Sequence, residues 1–147
     1  MKKLKNAFYI LLPIILGSII GLATSKYIDY QYLNKPLLSP PKILFPIMWS
    51  IIYILLGISY YLYKKKTDKT SYVYYVGLFV NLMWTILFFV FKLRFVSIIW
   101  ILLLDILVYL ILKEFKKVNK ISFYLNIPYF IWCLFATYLT IGIYILN

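Results

Sequence analysis

Five long apolar runs constrain this chain more than any other feature of its sequence. An α-helix needs about 20 apolar residues to cross the hydrocarbon of a bilayer, whereas a barrel strand shows about ten residues in alternation. A helix also satisfies its own backbone hydrogen bonds, for which lipid offers no partner. The sequence therefore predicts an all-α membrane protein, a bundle of five transmembrane helices at residues 7–25, 43–63, 72–91, 95–112 and 122–145.

The composition excludes a soluble domain of this size. The 147 residues are 65% hydrophobic and 14% charged, whereas soluble domains average roughly 45–50% apolar and about 25% charged residues. The segments outside the five runs are too short for a further folded domain. We therefore predict a single membrane domain over residues 1–147.

The net charge of +12 is a topology signal rather than a sign of nucleic-acid binding, because the basic residues lie almost wholly in termini and connections. One side of the bilayer receives eleven of them: Lys2, Lys3, Lys5, Lys64, Lys65, Lys66, Lys69, Lys113, Lys116, Lys117 and Lys120. The other side receives five: Lys26, Lys35, Lys42, Lys92 and Arg94. Cytoplasmic loops carry the excess of Lys and Arg. We therefore expect the N-terminus in the cytoplasm, the C-terminus outside, and membrane lipids with anionic headgroups as partners.

The first 25 residues also resemble a signal peptide, with a basic start, an apolar stretch and small residues near the end. Their apolar run is longer than the roughly 7–15 residues usual in such a peptide, which favours a retained first helix. Within it, Gly17 and Gly21 form a small-residue seam that suits close helix packing, either inside the bundle or between protomers.

The chain has no His and a single Cys, Cys133. Imidazole ligation of zinc or haem iron, a His-based catalytic triad and an internal disulfide are therefore excluded. Neither a phosphate-cradling glycine loop nor a nucleophile–base pair is present. The sequence indicates binding, with no metal site and no required cofactor.

The connection at residues 26–42 predicts a stiff cap over the outer end of the bundle. Pro36, Pro40 and Pro41 reduce the number of conformations that this loop loses on folding. Leu37 and Leu38 favour an apolar surface beneath them. Connections of this length in compact domains are often functional lids.

Aromatic and polar side chains share one face on each of four predicted helices. Pro40 and Pro41 suit the entry to the second helix. Its face holds Pro46, Trp49, Tyr53 and Gly57, and the faces of the next three helices hold Asn81, Trp84, Thr85 and Phe88, then Asp105 and Tyr109, then Trp132, Ala136 and Thr140. At 1.5 Å per residue, the central members lie roughly 10–20 Å below the outer end. Ordinary packing explains one such stripe, but four at a similar depth predict a shared apolar pocket for a large flat ligand.

Asp105 is the only charged residue inside an apolar run. A carboxylate in a membrane span is costly and normally faces the interior or a cavity, with a partner. No Lys or Arg lies within a span, so its partners must be neutral: Asn81, a tyrosine or water. Two roles stay open, a hydrogen bond between helices and a contact to a ligand or a proton.

Three blocks resemble the TspO/translocator protein family, also called tryptophan-rich sensory proteins. They are LNKPLLSPPKILFPIMWSIIY, NLMWTILFF and IPYFIWCLFATYLTIGIYILN, and they follow the family's order. The resemblance extends over all five spans. It implies a bacterial cell-membrane protein, usually a homodimer, in which the first loop caps a pocket for protoporphyrin IX or haem.

The resemblance also implies site residues. Family pocket positions carry over to Tyr30, Trp49, Asn81, Trp84, Trp132 and Ala136. Pro41, Tyr53, Phe88 and Asp105 complete the candidate ligand-binding set. Some bacterial relatives are reported to degrade protoporphyrin oxidatively in light, which here would involve Trp49 and Trp132.

The sequence departs from the family pattern in two places, the first loop and the end of the last helix. Asp29, Ile43 and the two loop leucines stand where relatives often have tryptophan, which removes stacking surface near the entrance. The sterol pattern of animal relatives requires a basic residue after a tyrosine late in the last helix, and none follows Tyr138 or Tyr144. Sterol recognition is therefore not expected.

Three functions follow as alternatives. The first is a membrane protein that binds porphyrin and senses, buffers or translocates it. The second is an enzyme that degrades protoporphyrin IX by photo-oxidation. The third is a lipid- or partner-scaffolding protein in which the aromatic layer is only core.

Overall fold

The computed structural model describes residues 2–147, and its regular structure there is entirely helical. The five helices are α1 Lys2–Thr24, α2 Leu44–Lys66, α3 Tyr72–Thr85, α4 Arg94–Val118 and α5 Lys120–Leu146. Each is long and apolar enough to cross a membrane, α3 together with the wider turn that follows it. The predicted bundle of five membrane-spanning helices is confirmed.

The helices extend beyond the predicted spans at the end of the bundle that holds most lysines. There α2 continues to Lys66, and α4 and α5 are separated by Asn119 alone. Lysine is a good helix former, and its long stem lets the ammonium group reach water from a helix end. The Asn119 side-chain oxygen accepts a hydrogen bond from the Ile121 N–H at 3.0 Å and so starts α5 directly after α4 ends.

A π-helical turn, Ile86–Val90, closes α3 at the other end of the bundle. The Phe91 N–H donates to the Ile86 carbonyl at 3.1 Å, five residues back, and Lys92 then adopts a positive φ of 54°. A turn of this kind inserts one more residue per turn than an α-helix. As a result both Phe88 and Phe89 are buried, although they are adjacent in sequence.

The helices form a ring in which α1 packs on α2, α2 on α5, α5 on α4 and α4 on α3, with α3 returning to α1. Stacked aromatic rings fill the lysine-rich half. The rings of Tyr60 and Tyr74 are 4.4 Å apart and nearly parallel, and those of Tyr63 and Phe115 are 4.5 Å apart. This half is filled by aromatic packing, and the candidate site lies nearer the opposite end.

Two glycines allow α1 to approach α2 closely. A methyl group at Gly57 would overlap the carbonyl oxygen of Ile10, and one at Gly17 would overlap the ring of Tyr53. By contrast, among the residues that the structure describes, none outside the adjoining turns of α1 lies within 4 Å of a methyl group placed at Gly21. The two glycines of the predicted seam therefore differ: Gly17 packs inside the bundle, and Gly21 faces outward.

Replacing Gly57 by Ala should loosen the contact between α1 and α2. Since the added methyl meets backbone rather than a movable side chain, we expect a destabilisation of about 1–3 kcal/mol. Thermal unfolding of the detergent-solubilised protein, followed by circular dichroism, measures this as a lower midpoint. Gly21→Ala is the matched control, expected to be neutral or slightly stabilising through helix propensity. Equal midpoints for the two variants would contradict the close approach at Gly57.

Candidate functional site

The loop between α1 and α2 lies across the end of the bundle opposite the lysine-rich end. It contains two single turns of 3₁₀ helix, Ser25–Tyr27 and Tyr30–Tyr32. One edge of the loop is tied to the last turns of α5. The Tyr138 hydroxyl donates to the Leu37 carbonyl at 2.6 Å, and the Asn147 amide donates to the Asn34 carbonyl at 2.8 Å.

Pro36 also fixes this edge of the loop by close packing. Its ring lies so near Gly142 that a methyl group there would overlap it. A proline in the loop and a glycine in α5 thus fit together, and a larger residue at position 142 would push the loop away from the helix.

The other edge of the loop is tied to the turn between α3 and α4 by an ion pair. The Arg94 guanidinium donates from one nitrogen to both carboxylate oxygens of Asp29, at 3.1 and 3.0 Å, and the Lys92 ammonium lies 3.7 Å from the same carboxylate. Arg94 also donates to the Phe88 carbonyl at 3.1 Å and lies over the Phe88 ring. The proline-rich loop is therefore held as a cap at both edges.

Tyr30 turns inward from the loop and is 3% exposed. Its hydroxyl donates to the Pro40 carbonyl at 2.7 Å, and its ring meets Phe45 edge-to-face at 4.8 Å. Burial raises the pKa of Tyr30 above the usual value of a tyrosine, so the hydroxyl stays neutral. Pro41 lies at the start of α2, where its carbonyl accepts the Leu44 N–H at 3.0 Å.

A narrow cavity lies directly beneath Tyr30. Six of the candidate residues line it: Tyr30, Trp49, Trp84, Phe88, Trp132 and Ala136. Phe45, Phe89, Leu139, Thr140 and Ile143 complete the lining. The cavity volume is about 20 Å³, which is enough for about one water molecule. The side chains of α2, α3 and α5 thus converge, but they are packed against one another.

Aromatic contacts keep the cavity narrow. Trp49 and Trp132 meet edge-to-face with ring centroids 6.2 Å apart, and Phe45 meets Trp132 in the same way at 5.9 Å. On the α3 side, Trp84 stacks on Phe88 at 5.2 Å. Such geometries are favourable for aromatic pairs and leave ring faces along the cavity wall.

Asn81 and Tyr53 lie beneath the cavity and do not line it. The Tyr53 hydroxyl donates to the Asn81 side-chain oxygen at 3.0 Å, and the Asn81 amide donates to the Tyr129 hydroxyl at 3.0 Å. Because all three residues are buried, this chain of hydrogen bonds ties α2, α3 and α5 together under the site. Tyr129 was missed from the sequence, although it precedes Trp132 and Ala136 on the same face of α5 at helical spacing.

Asp105 lies apart from the cavity, at the contact between α4 and α5. One carboxylate oxygen is 2.5 Å from the Thr137 hydroxyl, which also lies 2.8 Å from the Cys133 carbonyl. The structure thus places this side chain in a hydrogen bond between helices. Thr137 follows Cys133 by one helical turn, so its spacing alone could have identified it as a polar partner.

Four further residues of the lining were not predicted from the sequence: Leu139, Ile143, Phe45 and Phe89. Leu139 and Ile143 lie on α5 three and seven residues after Ala136, a spacing that places them on its face. Phe45 lies in the first turn of α2, one turn before Trp49, so helical spacing also places it on the cavity face. Phe89 could not be found by spacing, because the π-helical turn shifts it onto the cavity side.

The sequence from residue 9 to residue 146 matches the family model described as TspO/MBR family. A protein from Archaeoglobus fulgidus called tryptophan-rich protein TspO is 31% identical, with 100% of this chain and 99% of the relative covered. A protein of the same name from Chlorobaculum tepidum is 33% identical over 80% of this chain and 78% of its own length. A tryptophan-rich sensory protein from Cereibacter sphaeroides is 27% identical over 74% and 70%.

Replacing Asp29 by Asn should loosen the cap without unfolding the bundle. The ion pair with Arg94 is partly buried, and its loss should cost about 1 kcal/mol, equivalent to about fivefold in the opening equilibrium. Hydrogen–deuterium exchange of the amides in residues 26–42 should therefore become faster. Asp68→Asn, in an exposed connection at the opposite end, should leave this exchange unchanged. Identical loop protection in both variants would show that the ion pair does not hold the cap.

Proposed function

The chain belongs to the TspO/MBR family of membrane proteins, and from that premise we propose that it binds a flat tetrapyrrole, protoporphyrin IX or haem, in the cavity beneath the loop. In this proposal the bound tetrapyrrole is sensed, buffered or translocated. The name tryptophan-rich sensory protein, carried by one relative, supports sensing in particular.

The observation that carries the proposal is the convergence of three tryptophans from three helices on one cavity. Trp49 comes from α2, Trp84 from α3 and Trp132 from α5, and phenylalanine rings fill the spaces between them. Indole and phenyl faces suit the stacking of a large aromatic ring system. Ala136 is the smallest side chain in the wall and supports the proposal by leaving room near Trp132.

The narrow cavity of about 20 Å³ cannot take a tetrapyrrole as it stands, since ligand pockets of drug size measure roughly 300–1,000 Å³. The lining has the right chemistry, but the rings must separate. The loop is the part that can move most cheaply, because polar contacts at its edges, the packing of Pro36 on Gly142 and the buried ring of Tyr30 hold it, whereas much larger buried surfaces hold the five helices together. Binding is therefore proposed to require the cap to open.

Filling the cavity wall should block the ligand. In a titration of the purified protein with protoporphyrin IX, tryptophan fluorescence should fall to saturation in the wild type. Ala136→Phe places a phenyl group in the cavity and should weaken binding at least about tenfold, which corresponds to about 1.4 kcal/mol. Leu134→Phe is the control on the same helix, because Leu134 is 47% exposed on the outer face.

Two outcomes of this titration would redirect the proposal. If Ala136→Phe and Leu134→Phe bind as the wild type does, the ligand site is elsewhere. If the wild type shows no saturable quenching, the result favours the alternative of a lipid- or partner-scaffolding protein. Illumination of the complex tests the enzymatic alternative, which requires Trp49 and Trp132 to lie against the ligand. If bound protoporphyrin IX bleaches equally in the wild type and in a Trp49→Phe/Trp132→Phe variant, the result argues against this alternative.

We also propose that the loop end of the bundle faces the outside of the cell membrane and the lysine-rich end faces the cytoplasm. The unequal distribution of basic residues supports this orientation. Cys133 is buried and can stay in place. A membrane-impermeant maleimide applied to intact cells should label Gln31→Cys, in the loop, and should not label Thr70→Cys, at the opposite end. The reverse pattern would invert the proposed topology.

A further inference from the structure

An open groove lies at the loop end of the bundle, outside the aromatic cavity. The turn between α3 and α4, the first turn of α4 and the last turn of α5 form its walls. Its volume is about 650 Å³, within the roughly 300–1,000 Å³ that is typical of ligand pockets. The lining includes two basic residues, Lys92 and Arg94, and three large apolar or aromatic ones, Phe95, Tyr144 and Ile145. Ile143 alone lines both the groove and the cavity, so the groove is a separate feature.

The two basic side chains of the groove keep unused hydrogen-bond donors. The Lys92 ammonium lies 3.7 Å from the Asp29 carboxylate and donates no hydrogen bond to another group within residues 2–147. Arg94 donates from Nε to the Phe88 carbonyl and from Nη2 to Asp29, whereas its Nη1 has no acceptor in the same range. Because two cations face one carboxylate, the side chains here carry a net positive charge. The groove therefore suits an anion.

The backbone holds both cations in place. The Leu93 N–H donates to the Leu87 carbonyl at 3.0 Å, and with the Phe91 N–H bond it fixes the turn on either side of Lys92. Arg94 is the first residue of α4 and is anchored through Phe88 and Asp29. Groups that are already positioned lose less conformational freedom when they bind a ligand. This distinguishes the pair from the exposed lysines at the opposite end of the bundle.

The apolar part of the groove continues along the outer face of α4. Phe95, Ile99, Leu102 and Ile106 follow one another at steps of four, three and four residues, so they share one face. Each is 45–59% exposed, and the Tyr144 ring lies 5.7 Å from that of Phe95 at the top. The stripe from residue 95 to residue 106 is about 16 Å long. That length matches about half of the roughly 30 Å hydrocarbon core of a bilayer, so the cations lie at the top of a track one leaflet long.

From this arrangement we propose that the groove binds an anionic phospholipid, with its phosphate against Lys92 and Arg94 and an acyl chain along the stripe that begins at Phe95. Guanidinium and ammonium groups both bind phosphate oxygens. A soluble phosphate compound would leave the exposed stripe unused, which favours a lipid. A zwitterionic headgroup would bring its own cation close to Lys92, which favours an anionic one. The site does not depend on which ligand the cavity takes.

The test is photo-cross-linking of the whole chain in phosphatidylcholine nanodiscs, which present lipid to both ends of the bundle. The nanodiscs contain a small fraction of phosphatidylglycerol with a diazirine on its acyl chain, and peptide mass spectrometry locates the labelled residues. Label should appear within residues 95–106 and 144–147. It should exceed the labelling by a matched phosphatidylcholine probe about fivefold, the effect of one net positive charge near an anionic headgroup.

Three variants change the charge at this end of the bundle. Lys92→Gln should lower phosphatidylglycerol labelling of the groove about fivefold. Asp29→Asn should raise it by a similar factor, because it removes the carboxylate that competes for both cations. Lys42→Gln removes a charge from an exposed residue outside the groove and should change nothing there. Labelling at the lysine-rich end is the internal reference and should be the same in all three variants, which controls for folding and incorporation.

Opposite shifts in Lys92→Gln and Asp29→Asn support the proposal, since a merely structural ion pair would move both in the same direction. Equal labelling of the groove by the two lipid probes would overturn it, as would equal labelling in Lys92→Gln and Lys42→Gln or a fall in both Lys92→Gln and Asp29→Asn. Inorganic phosphate is added as a competitor at millimolar concentration. If it displaces the phosphatidylglycerol probe, the groove takes free phosphate and the lipid assignment is wrong.

Discussion

Polar side chains inside the five helices can find hydrogen-bond partners only within the bundle, because hydrocarbon offers none. This requirement determines which helices are joined by polar contacts. Asn81 joins α3 to tyrosines of α2 and α5, and the hydroxyls of Ser59 and Ser122 donate to each other's backbone carbonyls across the contact between α2 and α5. Asp105 is paired with a threonine of α5. These contacts fix which helix faces meet, and the cavity lies between the faces of α2, α3 and α5, beneath the loop.

The existence of the helices and of the aromatic site was predictable from sequence because both depend on short-range regularities. Apolar length alone gives the five spans, and helical spacing brings Trp49, Trp84, Trp132 and Ala136 to inward faces. Spacing cannot say how far each helix is rotated about its axis in the bundle. That rotation puts Asn81 beneath the cavity and Asp105 at a different helix contact, although all were expected at one depth. The π-helical turn adds a further displacement, which brings Phe89 into the wall.

The loop shows the same division between local and long-range information. Its prolines predict stiffness, and Tyr30 packs inward as a stiff cap requires. The partners that hold the loop come from distant parts of the sequence: Arg94 follows Asp29 by 65 residues, and Asn147 follows Asn34 by 113. No local pattern encodes such pairs. Each is a partly exposed polar contact, and contacts of this kind contribute roughly 0–1 kcal/mol. Several contacts together therefore hold the cap in one position, and each polar contact is weak enough to break separately.

A cap that can open over a narrow cavity makes binding depend on the contacts that the aromatic side chains exchange. Phe45 and Trp49 each contact Trp132 edge-to-face, and these contacts are lost when the rings separate to admit a ligand. A flat aromatic ligand replaces them with contacts to its own ring faces, whereas an aliphatic ligand of the same size does not. Differential binding is the only means by which a ligand can shift an equilibrium between two states of the cap. The aromatic lining would therefore link the shape of the ligand to the position of the cap.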